Sequence, residues 1–338
     1  MRAQSKGIHL ETKIRRLEEA LENLARHKKE CRLCPRECGV NRAKGEMGFC
    51  KSGSLASISH ALLHYGEEPV LSGIENCRGE RSPVRSCGSG TVFFSGCHLK
   101  CVFCQNYQLS WENLGDLVSD EELANRMLSL QANGALNINL VSPTHLILPI
   151  LNAIRIATLK GLRLPIIYNS NGYEKASIIR CLEGIVDIYL PDIKFFSNNL
   201  AKSLSEVSDY FAYTHSAVSE MYMQKPILVL DEEGVAKEGL IIRHLVLPDH
   251  AEDSLDILDW IAQNLSTSVC LSLMSQYQPC FNAPPEYKKK LSVKEYSRVL
   301  DRAQSFGFKT IFFQSEPSAL EESLTPDFSR KNPFHWKG

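Results

Sequence analysis

No apolar run in this 338-residue chain approaches the length of a membrane span. The opening residues, Met1 to Gly7, lack the apolar stretch of a secretion signal. Neither sign of charge dominates, with 38 Lys and Arg against 39 Asp and Glu for a net charge of −1. Nothing therefore pulls the whole chain toward nucleic acid or anionic lipid, and no basic and aromatic residues interleave as they would along a nucleic acid. No nucleic-acid or membrane partner is expected. The expected compartment is the reducing cytoplasm, where twelve cysteines point to metal binding over disulfides.

A local shortage decides the chemistry. Thr91 to Phe94 is a β-like apolar run that ends in Ser95-Gly96. Cys97, Cys101 and Cys104 follow at CxxxCxxC spacing. A strand feeding a glycine turn puts a loop at a sheet end, where sites are usually built. Three thiolates on one loop suit a soft metal or an iron–sulfur cluster, yet a closed Cys₄ site needs one more. A redox disulfide pair needs fewer thiols, and structural zinc wants a fourth ligand, for which His98 or Gln105 are candidates.

Cys97-x₃-Cys101-Val-Phe103-Cys104 resembles the signature of the radical S-adenosylmethionine (radical SAM) superfamily. Ser95 to Tyr107 as a whole is similar to the pyruvate formate-lyase activating enzyme-like branch. The resemblance implies a [4Fe–4S] cluster on Cys97, Cys101 and Cys104, with SAM chelating the fourth iron. It implies reductive cleavage of SAM to methionine and a 5′-deoxyadenosyl radical that abstracts a hydrogen atom. A protein substrate such as a glycyl-radical enzyme, and an electron donor of the flavodoxin or ferredoxin type, follow from the same likeness. Two other classes stay open: radical SAM modification of another protein or a small metabolite, and a non-enzymatic zinc or iron–sulfur module.

The chain is long enough for one large domain or a barrel with an appendage. Charge is uneven along it: residues 1–60 hold 13 Lys and Arg against 7 Asp and Glu, about +6, and the remainder is about −7. This reads as a solvated basic face or as a contact for an acidic partner. Leu10, Ile14, Leu17, Leu21 and Leu24 recur at helical spacing, which predicts an amphipathic helix over 10–30. Cys31, Cys34, Cys38 and Cys50 follow with Gly and Pro for tight turns, a short polar segment that needs a staple. They predict a second metal site, zinc or iron–sulfur. This extension resembles uncharacterised activating-enzyme-like relatives. Residues 61–90 read as a connector, with His64-Tyr-Gly-Glu-Glu-Pro69 also matching that branch. Cys77 and Cys87 flank an Arg-containing insertion there.

From Thr91 strands alternate with helices, the sign of a parallel α/β sheet. Strands are predicted at 91–94, 136–141, 165–169, 186–190, 227–230, 240–247, 268–273 and 309–313. Helices are predicted to start at the capping boxes Ser119–Glu122 and Ser292–Glu295, to stop at Gly161, and to run to about 183 and across 198–224 and 252–265. A core of 91–316 and a weakly ordered tail of 317–338 are expected. Either an open doubly wound sheet or a barrel would place the site at the C-terminal strand ends. The resemblance implies a partial or full TIM-like (β/α) barrel.

Polar residues cluster at those ends. A bound SAM needs acceptors for its ammonium, donors for its carboxylate and a flat apolar face for adenine. Phe103 is the candidate face. Ser142 and Thr144 stand where similar activating enzymes have Gly-Gly-Glu. Asn169, Ser170 and Asn171 stand where they have Asp-Thr-Asn. Asp192 and Lys194 match their Asp-x-Lys, so SAM contact is carried over to both. His244 is a further candidate, equally readable as a core histidine. Met274-Ser-Gln-Tyr277 also echoes the branch and could face substrate.

Overall fold

The computed structural model describes residues 2–73, 88–314 and 325–334, with side chains from residue 10 onward. Ten strands form the sheet: β1 Ala56–His64, β2 Ser89–Phe94, β3 Asp116–Val118, β4 Ile138–Val141, β5 Ile166–Ser170, β6 Ile188–Pro191, β7 Val229–Leu230, β8 Ala236–Leu245, β9 Cys270–Met274 and β10 Thr310–Phe313. The order is β10-β9-β8-β6-β5-β4-β2-β1-β3, with β7 pairing β8. Seven strands, β2, β4, β5, β6, β8, β9 and β10, run parallel in sequence order. β1 and β3 extend the β2 edge antiparallel. Among the described residues the path does not close, because β10 and β3 are its ends. It does curve: Phe93 of β2 and Phe312 of β10 line the same cavity. The fold is an α/β partial barrel.

Local chemistry sets the helix ends. Ser119 caps Asp120–Ala132 and Ser292 caps Val293–Ser305, each by a full capping box with the glutamate three residues on. Ile147–Leu159 stops before Gly161, which takes φ +108. Arg2–Leu24 is helical and packs Leu17, Ala20 and Leu24 into the main core beside Ile150 and Ile154. Lys13 of this helix reaches Asp187 at 3.1 Å.

Several expectations need correction. Ala56–His64 lies partly in the expected connector, yet it is a nine-residue strand registered on β2. The strand expected at 227–230 is only Val229–Leu230, exposed and antiparallel to β8. The helix expected to run to about 183 is the single stretch Ala176–Arg180. In the expected weakly ordered tail, Phe328 and Phe334 are buried against Phe93. Asp327 anchors this segment: Gln108 Nε2 donates to Asp327 Oδ1 (3.2 Å), and Gln108 Oε1 accepts from the Phe328 amide (2.7 Å). Cys77, Cys87, Arg78, Arg81 and Arg85 lie outside the described residues.

The turn Pro69–Ser72 packs Leu71 into a buried cluster with Ile167, Ile188, Ile241 and Cys270.

Candidate active site

The cavity has a volume of about 590 Å³ and lies among the strand ends. Cys97, Cys101 and Cys104 line it together with Phe103. The loop is held from behind: Val102 N donates to Leu204 O (3.0 Å), and Trp111 Nε1 to Cys101 O (3.1 Å). Phe103 lies among Phe195 and Tyr277, at centroid distances of 6.5 and 5.6 Å.

Burial pushes the Cys97 thiol up to about 12 and Cys104 to about 11, and it raises Cys101 as well. As bare thiols the three would be protonated; a metal replaces those protons. Donors are already aimed at the sulfurs. Leu99 N lies 3.4 Å from Cys97 Sγ, Asn171 Nδ2 3.6 Å from Cys97 Sγ, Ser205 Oγ 3.0 Å from Cys101 Sγ and Ser110 Oγ 3.2 Å from Cys104 Sγ. Such donors suit anionic thiolates on a metal. Among the described residues no three His, Cys, Asp or Glu side chains close on a point fit for one ion.

Ser142, Asn169, Ser170, Asn171, Asp192 and Lys194 line the same cavity. Ser142 holds the left-handed region, φ +54, uncommon without glycine and a mark of local strain. Asn171-Gly172 is more than a turn. A Cβ on Gly172 would stand 2.0 Å from Asp192 O, so β5 and β6 can meet only over a glycine. Lys194 Nζ pairs with Asp192 Oδ2 at 2.5 Å. Burial alone would push the ammonium down, but Asp192 and the Cys101 thiol hold it well above its usual range.

Thr144 and His244 do not join the site. Thr144 is buried and donates to Glu174 Oε1. His244 is buried behind β8, with Nδ1 2.7 Å from Ile193 O and Nε2 2.8 Å from Ser254 Oγ. Its neighbour on the opposite face, Arg243, is the residue that lines the cavity. His98 is buried too, with Nε2 2.9 Å from Tyr173 O, and burial lowers it to about 4. Met274, Gln276, Tyr277 and Gln278 line the cavity.

Two features went unread in the sequence. Arg243 Nε and Nη2 grip both oxygens of Glu68 (2.8 and 2.5 Å), and Nη2 also meets Glu67. Asn139 Nδ2 donates to Glu67 Oε1 at 2.9 Å. Burial would raise Glu67, but Arg243 and His64 hold it well below the carboxylate range. The other feature is Glu174, fully buried and, among the described residues, without a cation. Burial pushes it up to about 8, against hydrogen bonds from Thr144, Ser170 and Tyr168. The Glu-Glu pair beside a strand end was the available signal for the first; nothing local announced the second.

The family model of the radical SAM superfamily matches residues 91–217. The chain is 31% identical, over 296 residues, to an uncharacterized protein of Methanocaldococcus jannaschii, covering 84% of this chain and 77% of that one. The chain belongs to the radical SAM superfamily. Superfamily membership carries an enzyme with a [4Fe–4S] cluster and SAM. Among solved structures, methylornithine synthase (PylB) is similar with a TM-score of 0.42 and 16% identity, over 66% of this chain and 69% of that one. No helix among the described residues is long and apolar enough to cross a membrane.

Proposed function

We propose that this radical SAM enzyme is an activase: it abstracts a hydrogen atom from a protein substrate of the glycyl-radical type. The observation that carries the radical chemistry is the meeting of three thiols, Phe103, Asn169–Asn171 and the Asp192–Lys194 pair in one cavity. The likeness of Ser95 to Tyr107 to activating enzymes supports the substrate class.

Cys97, Cys101 and Cys104 would hold the cluster. Lys194 offers a cation to the SAM carboxylate, and Asp192 fixes that cation in place. Asn169, Ser170 and Asn171 offer polar groups to the ribose, and Phe103 an apolar face to adenine. When bound and reduced, cluster and SAM together supply a 5′-deoxyadenosyl radical, which takes the hydrogen atom. The protein orients SAM and keeps water from it. Phe93 and Phe334 form part of the apolar wall that does so. The electron donor would be of the flavodoxin or ferredoxin type, and Cys31, Cys34, Cys38 and Cys50 would form a second metal site.

The test is 5′-deoxyadenosine formation by anaerobically reconstituted, reduced protein given SAM. Product is expected from the native chain and none from Cys101→Ala; full activity in that variant would sink the cluster assignment. A glycyl radical in a co-incubated glycyl-radical enzyme, seen by electron paramagnetic resonance (EPR), would establish the activase. Abundant 5′-deoxyadenosine with no such radical would favour another hydrogen donor.

A further inference from the structure

We propose that Pro326 and Phe334 of the C-terminal segment are specificity-determining residues: they wall the substrate side of the cavity and select a neutral peptide segment carrying an apolar side chain. This rests on the activase reading above and names the chemistry of the segment that enters.

The lining of the cavity divides by chemistry. Its charged side chains are already paired with one another, Arg243 with Glu67 and Glu68 and Lys194 with Asp192. A charged substrate side chain would be desolvated there with no free partner, which is costly. Much of the remaining lining is apolar or amide. Gln105, Gln276 and Gln314 form one amide group: Gln314 Nε2 donates to Gln276 Oε1 (2.8 Å) and Gln105 Nε2 to Gln276 O (3.3 Å). Side-chain amides offer both donors and acceptors, which match the N–H and C=O groups of a peptide main chain.

Two of the apolar residues come from outside the sheet. Pro326 and Phe334 line the cavity from the C-terminal segment. That segment is closed on itself, with Asp327 N donating to Pro333 O (3.0 Å). It lies on β1 and β2. The Phe334 ring stands 4.5 Å from His64 and 5.6 Å from Phe93, and His60 Nε2 lies 2.9 Å from Arg330 O. Gln108 holds both Asp327 and Phe328, and it belongs to the helix Tyr107–Ser110 just after the thiol loop. The wall is therefore registered against Cys104.

A comparison within the segment separates lining from packing. Phe328 packs on the same Phe93 ring at 5.2 Å, yet it is not part of the lining. Both rings are buried, Phe328 at 3% and Phe334 at 7% exposure, so truncating either costs similar packing. Only Phe334 can also meet a substrate. An apolar group set against that ring leaves water and gains contact, whereas a charged one loses its hydration with nothing in return.

The test uses two blocked peptides, N-acetyl-phenylalanyl-glycinamide and N-acetyl-aspartyl-glycinamide. Their binding to anaerobically reconstituted, unreduced protein with SAM is read by isothermal titration calorimetry, so no turnover is involved. The native chain should bind the phenylalanyl peptide at least about tenfold more tightly than the aspartyl one. Phe334→Ala should erase most of that preference. Phe328→Ala should keep it, although urea unfolds both variants at similarly lowered concentrations. Should Phe334→Ala not fold, Phe334→Leu is read in its place. Preference retained in the Phe334 variant, or lost equally in both, overturns the proposal, as does a native chain that binds neither peptide at millimolar concentration. The activase reading fails separately: the preference stands and depends on Phe334, but EPR finds no glycyl radical in a co-incubated glycyl-radical enzyme.

Discussion

Glu174 is a buried carboxyl group with no cation paired to it among the described residues, and the protein should carry it protonated at neutral pH. Thr144, Ser170 and Tyr168 donate hydrogen bonds to it, which favour the charged form, but burial outweighs them and sets it at about 8. The free value is 4.5. Between these two pH values the folded chain holds a proton that the unfolded chain has released. Stability from this group is thus fully present below about 4.5 and is lost as pH rises through about 8. The slope is about 1.4 kcal/mol per pH unit, so the loss over the window is on the order of 5 kcal/mol. Glu174→Gln keeps the shape and removes the titration. Urea unfolding of the two proteins, anaerobic and at equal metal content, should therefore diverge with pH. The variant should gain on the native chain steadily from about pH 5 to about pH 8. Difference infrared spectra at pH 7 should show a protonated carboxyl C=O stretch that Glu174→Gln lacks. A stability difference flat across that range, with no such stretch, would refute the reasoning.

Three further outcomes follow from the cavity. Lys194→Met removes the cation held by Asp192 at 2.5 Å; SAM affinity, read by equilibrium dialysis, should weaken by about 1.5–3 kcal/mol, roughly ten- to a hundredfold. Gly172→Ala puts a methyl against Asp192 O at a φ of +77; a loss of at least about 2 kcal/mol in urea unfolding is expected, with weaker SAM binding. Arg243→Met leaves Glu67 and Glu68 buried without their guanidinium. It should cost about 3–5 kcal/mol, and adding Glu68→Gln should recover part of that in a double-mutant cycle.

Where the chemistry of a segment is complete within a few residues, the sequence was readable. The two capping boxes, the stop at Gly161 and the thiol loop are all of that kind. Seven parallel strands were also legible, because each is an apolar run between helices. β1 was not: Ala56–His64 carries Ser and His along its length, and only its pairing with β2 makes it a strand. Sequence spacing also leaves open which face a side chain takes. Arg243 and His244 are adjacent and polar, yet one lines the cavity and the other is satisfied in the core. Thr144 looked like a strand-end ligand because Glu174, thirty residues on, was not seen as its partner. The tail holds few apolar residues, but two of them, Phe328 and Phe334, find Phe93 across the fold.

The charge of the cavity can be understood from its lining as a whole. Ser142 holds a left-handed backbone, φ +54, which glycine adopts without strain. Glu67, Glu68 and Asp192 line the cavity against Lys194 and Arg243, three carboxylates to two cations. SAM, with its sulfonium added to a zwitterion, carries one net positive charge. In a buried space such a surplus is felt over longer distances than in water, so the Glu67–Glu68 pair beside the Pro69–Ser72 turn makes the cavity electrostatically complementary to SAM.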